Sequence, residues 1–173
     1  MPNTPLAGNP SPAPVLVSST AIGSLDLSPL AAWAALAPEQ LLTFTGTLEI
    51  SLDWPRADDD PRELSEIPEV RLWCLRADAV LPWLPLLIER STGQLTRHVA
   101  MLLPHGFSRG EGIRFAPEAL ELWITHRLFL LDDWASSRQL NCRQGLVQMA
   151  AVLGLEVDAA FWDSLGPGVS LPR

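Results

Sequence analysis

The stretch "PEALELWITHRLFLLDDWASSR", residues 117–138, constrains this chain more than any other. Pro117 suits a first helical turn, where the missing N–H would have no partner anyway, and Glu118 suits the positive end of the helix dipole. At about 100° per residue, Leu120, Trp123, Ile124 and Leu131 share one face, and Arg127 falls in the middle of it. A guanidinium on a buried face needs a partner, unless its stem carries the charge out to water. The helix therefore predicts a core ion pair with a carboxylate from another element, with an anion or partner contact as the alternative. His126 lies on the flank with no second histidine one turn on, so no metal pair is expected there.

The rest of the chain must supply what this helix packs on. "TLEISLDW" (47–54) alternates Leu48, Ile50, Leu52 and Trp54 with polar residues, which predicts a strand covered on one side. "EVRLWCLRA" (69–77) reads as a strand covered on both sides, with Val70, Leu72 and Cys74 opposed to Trp73, Leu75 and Ala77. "LTRHVAMLL" (95–103) reads as a third strand. Short helices are expected over 28–42, with Ser28 as cap and a break at Pro38, and around "LPWLPLLIER". Two more are expected in "RQGLVQMAAVLGL" and "DAAFWDSL", the second capped by Asp158. Strands followed by helices predict an α+β fold: a small antiparallel sheet of about three strands covered by helices, with a helical C-terminal half. Residues 1–14 carry five prolines and no cation, and read as a flexible proline-rich arm; 15–173 read as one α+β domain. The arm matches neither a secretory nor a transit signal.

Charge narrows the function. The net charge is −8, and all twelve cations are arginines that never cluster, which argues against nucleic-acid binding. The most apolar run, "AVLPWLPLLI" at 79–88, is half a bilayer span with two prolines, so no integral membrane segment is expected and the protein reads as cytoplasmic. Cys74 and Cys142 have no cysteine or histidine at zinc-ligand spacing; Cys74 reads as a buried free thiol, with a disulfide as the alternative. Among seven tryptophans, Trp33, Trp73, Trp123, Trp134 and Trp162 sit in apolar periodic settings and read as core, whereas Trp54 and Trp83 stand beside prolines as candidate partner-facing anchors.

"DWPRADDDPRELSEIPEVRLW" (53–73) packs seven carboxylates, three arginines and three prolines into 21 positions. Asp58, Asp59 and Asp60 are consecutive, so their side chains diverge, and the segment lacks the glycine a calcium loop requires. Exposed ion pairs stabilise by only ~0.2–1 kcal/mol each, so stability does not explain them. A proline-stiffened docking surface is the functional reading, built on Trp54, Arg56, Arg62, Glu63, Glu66, Glu69 and Arg71; a solvated loop is the rival. A second patch lies in "LLPHGFSRGEGIRF" (102–115), with His105, Arg109 and Glu111. It fits neither a phosphate loop nor a nucleophile elbow. A small hydrolase or lyase would need His105 and Glu111 as an acid–base pair with Arg109 as anion clamp.

Taken together, "DWPR…DPRELSEIPEVRLW", "LPHGFSRGEGIRFAPEALEL" and "HRLFLLDDW" resemble the chlororespiratory reduction 6 family of cyanobacteria and chloroplasts. "LLTFTGTLEI" and "PWLPLLIE" extend the likeness over residues 40–134, with a weaker continuation to about 165. Gly106 and Gly110 depart from it, since polar residues are expected there, and Arg127 stands in place of lysine. The resemblance implies a non-enzymatic assembly factor for the photosynthetic NADH dehydrogenase-like complex, acting on its eight-iron ferredoxin-like I subunit in the cyanobacterial cytoplasm. It implies no catalytic residue, no cofactor or metal, and no small-molecule substrate. Cluster insertion is disfavoured separately, because two isolated cysteines cannot build a four-cysteine site.

Overall fold

Proline sets the start of several helices in this chain. In the computed structural model, which describes residues 13–165, β1 (Val15–Val17) is followed by α1 (Ser19–Gly23) and a 3-10 turn (Ser28–Leu30) that runs into α2 (Ala31–Ala34). Next come α3 (Pro38–Leu42) and β2 (Ile50–Leu52). A second 3-10 turn (Leu64–Glu66) leads into α4 (Pro68–Val80), α5 (Leu84–Leu87) and α6 (Gln94–Leu102). The hairpin of β3 (His105–Ser108) and β4 (Gly112–Phe115) precedes α7 (Pro117–Ser136), α8 (Arg143–Val152) and α9 (Ala159–Leu165). Pro38, Pro68 and Pro117 are each the first residue of a helix, where no backbone donor is missed. Asp158 accepts from the Phe161 amide (3.0 Å), capping α9 as expected. Of the expected arm, residues 1–12 lie outside the described residues.

The α+β class and the helical C-terminal half are as the sequence predicts, but the sheets differ. The expected three-stranded antiparallel sheet is replaced by two two-stranded sheets, β1–β2 parallel and β3–β4 antiparallel. Residues 69–77 and 95–103, expected as strands, are helices. In α4 the buried positions are Val70, Trp73, Cys74 and Ala77, a spacing of three and four, while Leu72 and Leu75 face solvent. Two-residue alternation and helical periodicity overlap in so short an apolar run, and Pro68 tips the balance by pre-setting a helical φ. In α6, Leu95, His98 and Val99 turn inward, and Gly93 opens the helix with a left-handed φ of 82°.

The core gathers Leu30, Leu48, Trp73, Leu84, Leu86 and Leu95 with Ile124 and Leu128 of α7. Trp73 donates its indole N–H to the Asp26 carbonyl (2.8 Å), so even this buried aromatic is satisfied. Trp83 is only 8% exposed and packs in the core, which corrects the expectation of a partner-facing anchor. Cys74 and Cys142 are free and buried, and burial pushes their thiols up to about 12 and about 11.

Arg127 has the core partner its position demands. Its guanidinium pairs with Asp78 of α4 and donates to the Pro82 carbonyl (2.9 Å), and the other Asp78 oxygen lies 3.5 Å from His98 Nε2 of α6. All three side chains are buried, so three helices meet at one polar node. On the other side of α7, Asp132 takes two hydrogen bonds from Arg143 (2.8 and 3.0 Å), fastening α8. Arg143 also lies 4.9 Å from the Trp162 ring, which brings α9 in. Breaking a buried pair by removing one partner strands the other charge. Arg127→Met is therefore expected to cost about 3–5 kcal/mol in chemical denaturation, and adding Asp78→Leu to recover much of that loss.

A second polar cluster anchors the start of α6. Leu48 bridges to Ile88, and the next residue, Glu89, turns its carboxylate back onto the loop. Burial alone would raise this carboxyl, but the hydroxyls and amides of Ser91 and Thr92 outweigh it and hold it down at about 2. A lowered folded-state value contributes stability above the unfolded value and loses it as pH falls. The stability gap between the wild type and Glu89→Gln, followed by thermal melts, is expected to be level above the ordinary value of 4.5 and to close as pH falls toward about 2.

Candidate functional site

The acidic segment and the second patch, 40 residues apart in sequence, meet at one place. Ser65 Oγ lies 3.1 Å from His105 Nε2, and His105 Nδ1 lies 3.1 Å from the Leu103 carbonyl. A carbonyl can only accept, so Nδ1 donates to it, and Nε2 shares the second bond of the ring with the Ser65 hydroxyl. This pair ties the 3-10 turn at Leu64–Glu66 to β3. Between them opens a groove of about 1590 Å³.

Three structural layers form the groove. One wall is the 3-10 turn with Arg56, Glu63 and Glu66, and the opposite wall is the hairpin with Phe107, Glu111 and Ile113. The floor is apolar and comes from β2 (Ile50, Leu52), α4 (Trp73, Cys74) and α6 (Met101). Cys74 Sγ and Met101 Sδ touch at 3.3 Å, a soft buried contact with no free thiolate. The hairpin exists because Gly112 takes a φ of 72° in the residue pairing with Ser108, and Phe107 is set opposite Ile113. Phe107 is 65% exposed at the groove mouth.

Of the residues singled out from sequence, Arg56, Glu63, Glu66, Arg71, His105 and Glu111 line this groove. Arg62 and Glu69 are exposed on its outer rim, Arg109 is exposed at the hairpin turn, and Trp54 is half-buried against the core. The Arg62 guanidinium and amide hold the Asp60 carboxyl down at about 2. Glu66 accepts from the Glu63 amide (2.6 Å), and Glu111 pairs with Arg114 (3.0 Å). The acid–base pair of His105 and Glu111 that a hydrolase would need is not formed, since each is bonded elsewhere. Sequence reasoning missed Ser65, Gln94, Arg97 and Phe107. Arg97 was hidden by the strand reading of 95–103 and Gln94 by the reading of the stretch before it as a turn, and the other two carry no pattern that marks them before the walls come together.

Among the described residues, no group of three or more His, Cys, Asp or Glu side chains is placed to hold a metal ion. Nor is any helix among them long and apolar enough to cross a membrane. The described residues form an α+β fold with a large groove of mixed apolar and charged lining. The family model "Chlororespiratory reduction 6" matches residues 17–164, and the chain belongs to that family, an assembly-factor family rather than a family of enzymes. The match takes in both walls and the floor of the groove. No solved structure matches the chain.

If the Ser65–His105 pair holds the hairpin in place, its loss should loosen one wall. Ser65→Ala is expected to accelerate hydrogen exchange of the hairpin amides about tenfold, while exchange in α7 stays unchanged.

Proposed function

We propose that this protein is a non-catalytic assembly factor that binds the eight-iron ferredoxin-like I subunit while the hydrophilic arm of the photosynthetic NADH dehydrogenase-like complex is built. It works as a holdase in the cyanobacterial cytoplasm: it masks the docking face of the subunit until the membrane partners take it. The observation that carries this reading is the convergence of two separate family segments on one groove, with an apolar floor and charged walls, in a member of an assembly-factor family. Family membership supports a role in that complex, and the groove supports a protein partner.

The interface is formed by Arg56, Glu63, Glu66 and Arg71 on one side and His105 and Glu111 on the other, with Trp54, Arg62, Glu69 and Arg109 outside the groove. Exposed Glu63 and Glu69 sit where they can steer a basic patch of the client, raising the rate of encounter more than the affinity. Phe107 supplies an apolar anchor at the mouth, and anchors of this kind concentrate binding energy. Binding needs no cofactor.

Co-purification from cyanobacterial cells tests this. Tagged wild type is expected to bring down the I subunit, and Phe107→Asp to lose about tenfold of it, or ~1.4 kcal/mol, at an unchanged melting temperature. Glu63→Lys with Glu69→Lys is expected to slow capture and make it less salt-dependent. A wild type that retains no I subunit under conditions where the complex is being assembled overturns the proposal.

A further inference from the structure

The charges of the groove are not balanced within the molecule. Arg56, Arg71 and Arg97 line it, and among the described residues none of them forms an ion pair with a carboxylate. Arg56 and Arg97 donate only to backbone carbonyls, those of Arg62 and Thr92. Residues 1–12 and 166–173 contain no aspartate or glutamate, so no side chain there completes the pairing. Of the groove's acids, Glu66 accepts from the Glu63 amide and Glu111 pairs with Arg114, while the Glu63 carboxylate on the same wall forms no ion pair among the described residues. Three guanidiniums without a carboxylate partner thus face one groove, beside three glutamates that also line it, so the groove is locally neutral in a chain of net charge −8.

The backbone beside them is also open. The Val15 amide donates to Glu49 O and the Asp53 amide to Val17 O, so alternate residues of β2 turn toward β1. Ile50 and Leu52 therefore turn their peptide groups to the other edge, which Leu48 shares with the bridge to Ile88 and which carries no strand beyond that bridge. There the Ile50 amide donates to Gln94 Oε1 (2.9 Å), a side-chain acceptor standing where the carbonyl of an added strand would stand. Ile50, Ser51, Leu52 and Gln94 all line the groove.

We infer that the groove takes an extended acidic segment of the client protein, which adds to the edge of β2 beyond the Leu48–Ile88 bridge, takes the Ile50 amide over from Gln94, and lays its carboxylates against Arg56, Arg71 and Arg97. Main-chain pairing supplies affinity in this mode, and alternate side chains supply specificity. Side chains on one face of the segment meet Ile50, Leu52 and Met101, and those on the other meet the guanidiniums, which bind carboxylates in bidentate fashion. This deepens the client-binding reading and rests on it for the identity of the partner. It also divides the labour between charges: Glu63 and Glu69 at the rim attract the client's basic surface, and the groove selects an acidic strand.

The test uses the full chain and fluorescein-labelled hexapeptides of alternating valine with glutamate or with lysine, read by fluorescence anisotropy at low salt. The glutamate peptide is expected to bind at least about tenfold more tightly than the lysine peptide. Arg71→Glu with Arg97→Glu should abolish the preference, whereas Arg138→Glu, a charge change on an exposed residue outside the groove, should leave it intact. Equal binding of the two peptides, binding of neither, or displacement of the glutamate peptide by inorganic phosphate at matched ionic strength would overturn the inference, the last by reducing the groove to a simple anion site. Co-purification separates the two readings. If wild type and the double arginine variant capture the I subunit equally, the acidic-strand inference falls and the assembly role stands. If wild type captures no I subunit while the peptide preference holds, the identity of the client falls and the groove's selectivity stands.

Discussion

Everything in this fold hangs on a buried charge that has to be neutralised. Arg127 sits on the inward face of the longest helix among the described residues, almost wholly out of water. Asp78 of α4 supplies the counter-charge, the Pro82 carbonyl takes a second donor, and His98 of α6 closes the arrangement on the far side of Asp78. Pairs of this kind add little net stability over an apolar core, because desolvation offsets the attraction. Their effect is on geometry: any packing that separates these three helices leaves a charge in a low-dielectric interior, so competing arrangements are penalised by several kcal/mol. The node thus fixes α4 and α6 side by side.

That placement creates the groove. Cys74 lies about one turn and Trp73 about one and a half turns from Asp78 on α4, and Met101 lies within one turn of His98 on α6, so the floor is held by the same node. The walls are lighter. A 3-10 turn and a two-stranded hairpin carry few buried side chains, and the Ser65–His105 bond joins them across the groove. A rigid floor with adjustable walls suits a partner that is bound for a time and then released, because walls of low local stability can open without unfolding the core.

The distribution of charge follows the same division. Inside the scaffold arginines are matched, Arg127 to Asp78 and Arg143 to Asp132, and each pair locks one element to another. Around the groove the matching is local and incomplete: Arg62 takes Asp60 and Arg114 takes Glu111, both within a few residues along the chain, while Arg56, Arg71 and Arg97 are left uncommitted. Surface pairs such as these contribute little to stability, so the acid-rich segment does not explain itself as a structural device.

The sequence by itself determined the long helix, its buried arginine and the need for an acidic partner, because a helical face one charge wide is legible from spacing alone. It also indicated short helices over 28–42, a buried thiol at Cys74 and, through segments too particular to arise by chance, the family; that both thiols are free and that Pro68 starts a helix came from the structure. Only the tertiary structure decided what 69–77 and 95–103 become. Apolar runs of nine residues satisfy a strand and a helix equally well until a neighbour chooses the face to be buried, and here Asp78 and His98 had to reach Arg127. The same is true of the groove. Glu63, Glu66 and Arg71 belong to one stretch of chain and His105 and Glu111 to another, and no spacing rule connects them. Which residue is Arg127's partner, which arginines stay unpaired, and which edge of β2 stays open are questions of three-dimensional neighbourhood, since charge and hydrogen bonding act through space and not along the chain.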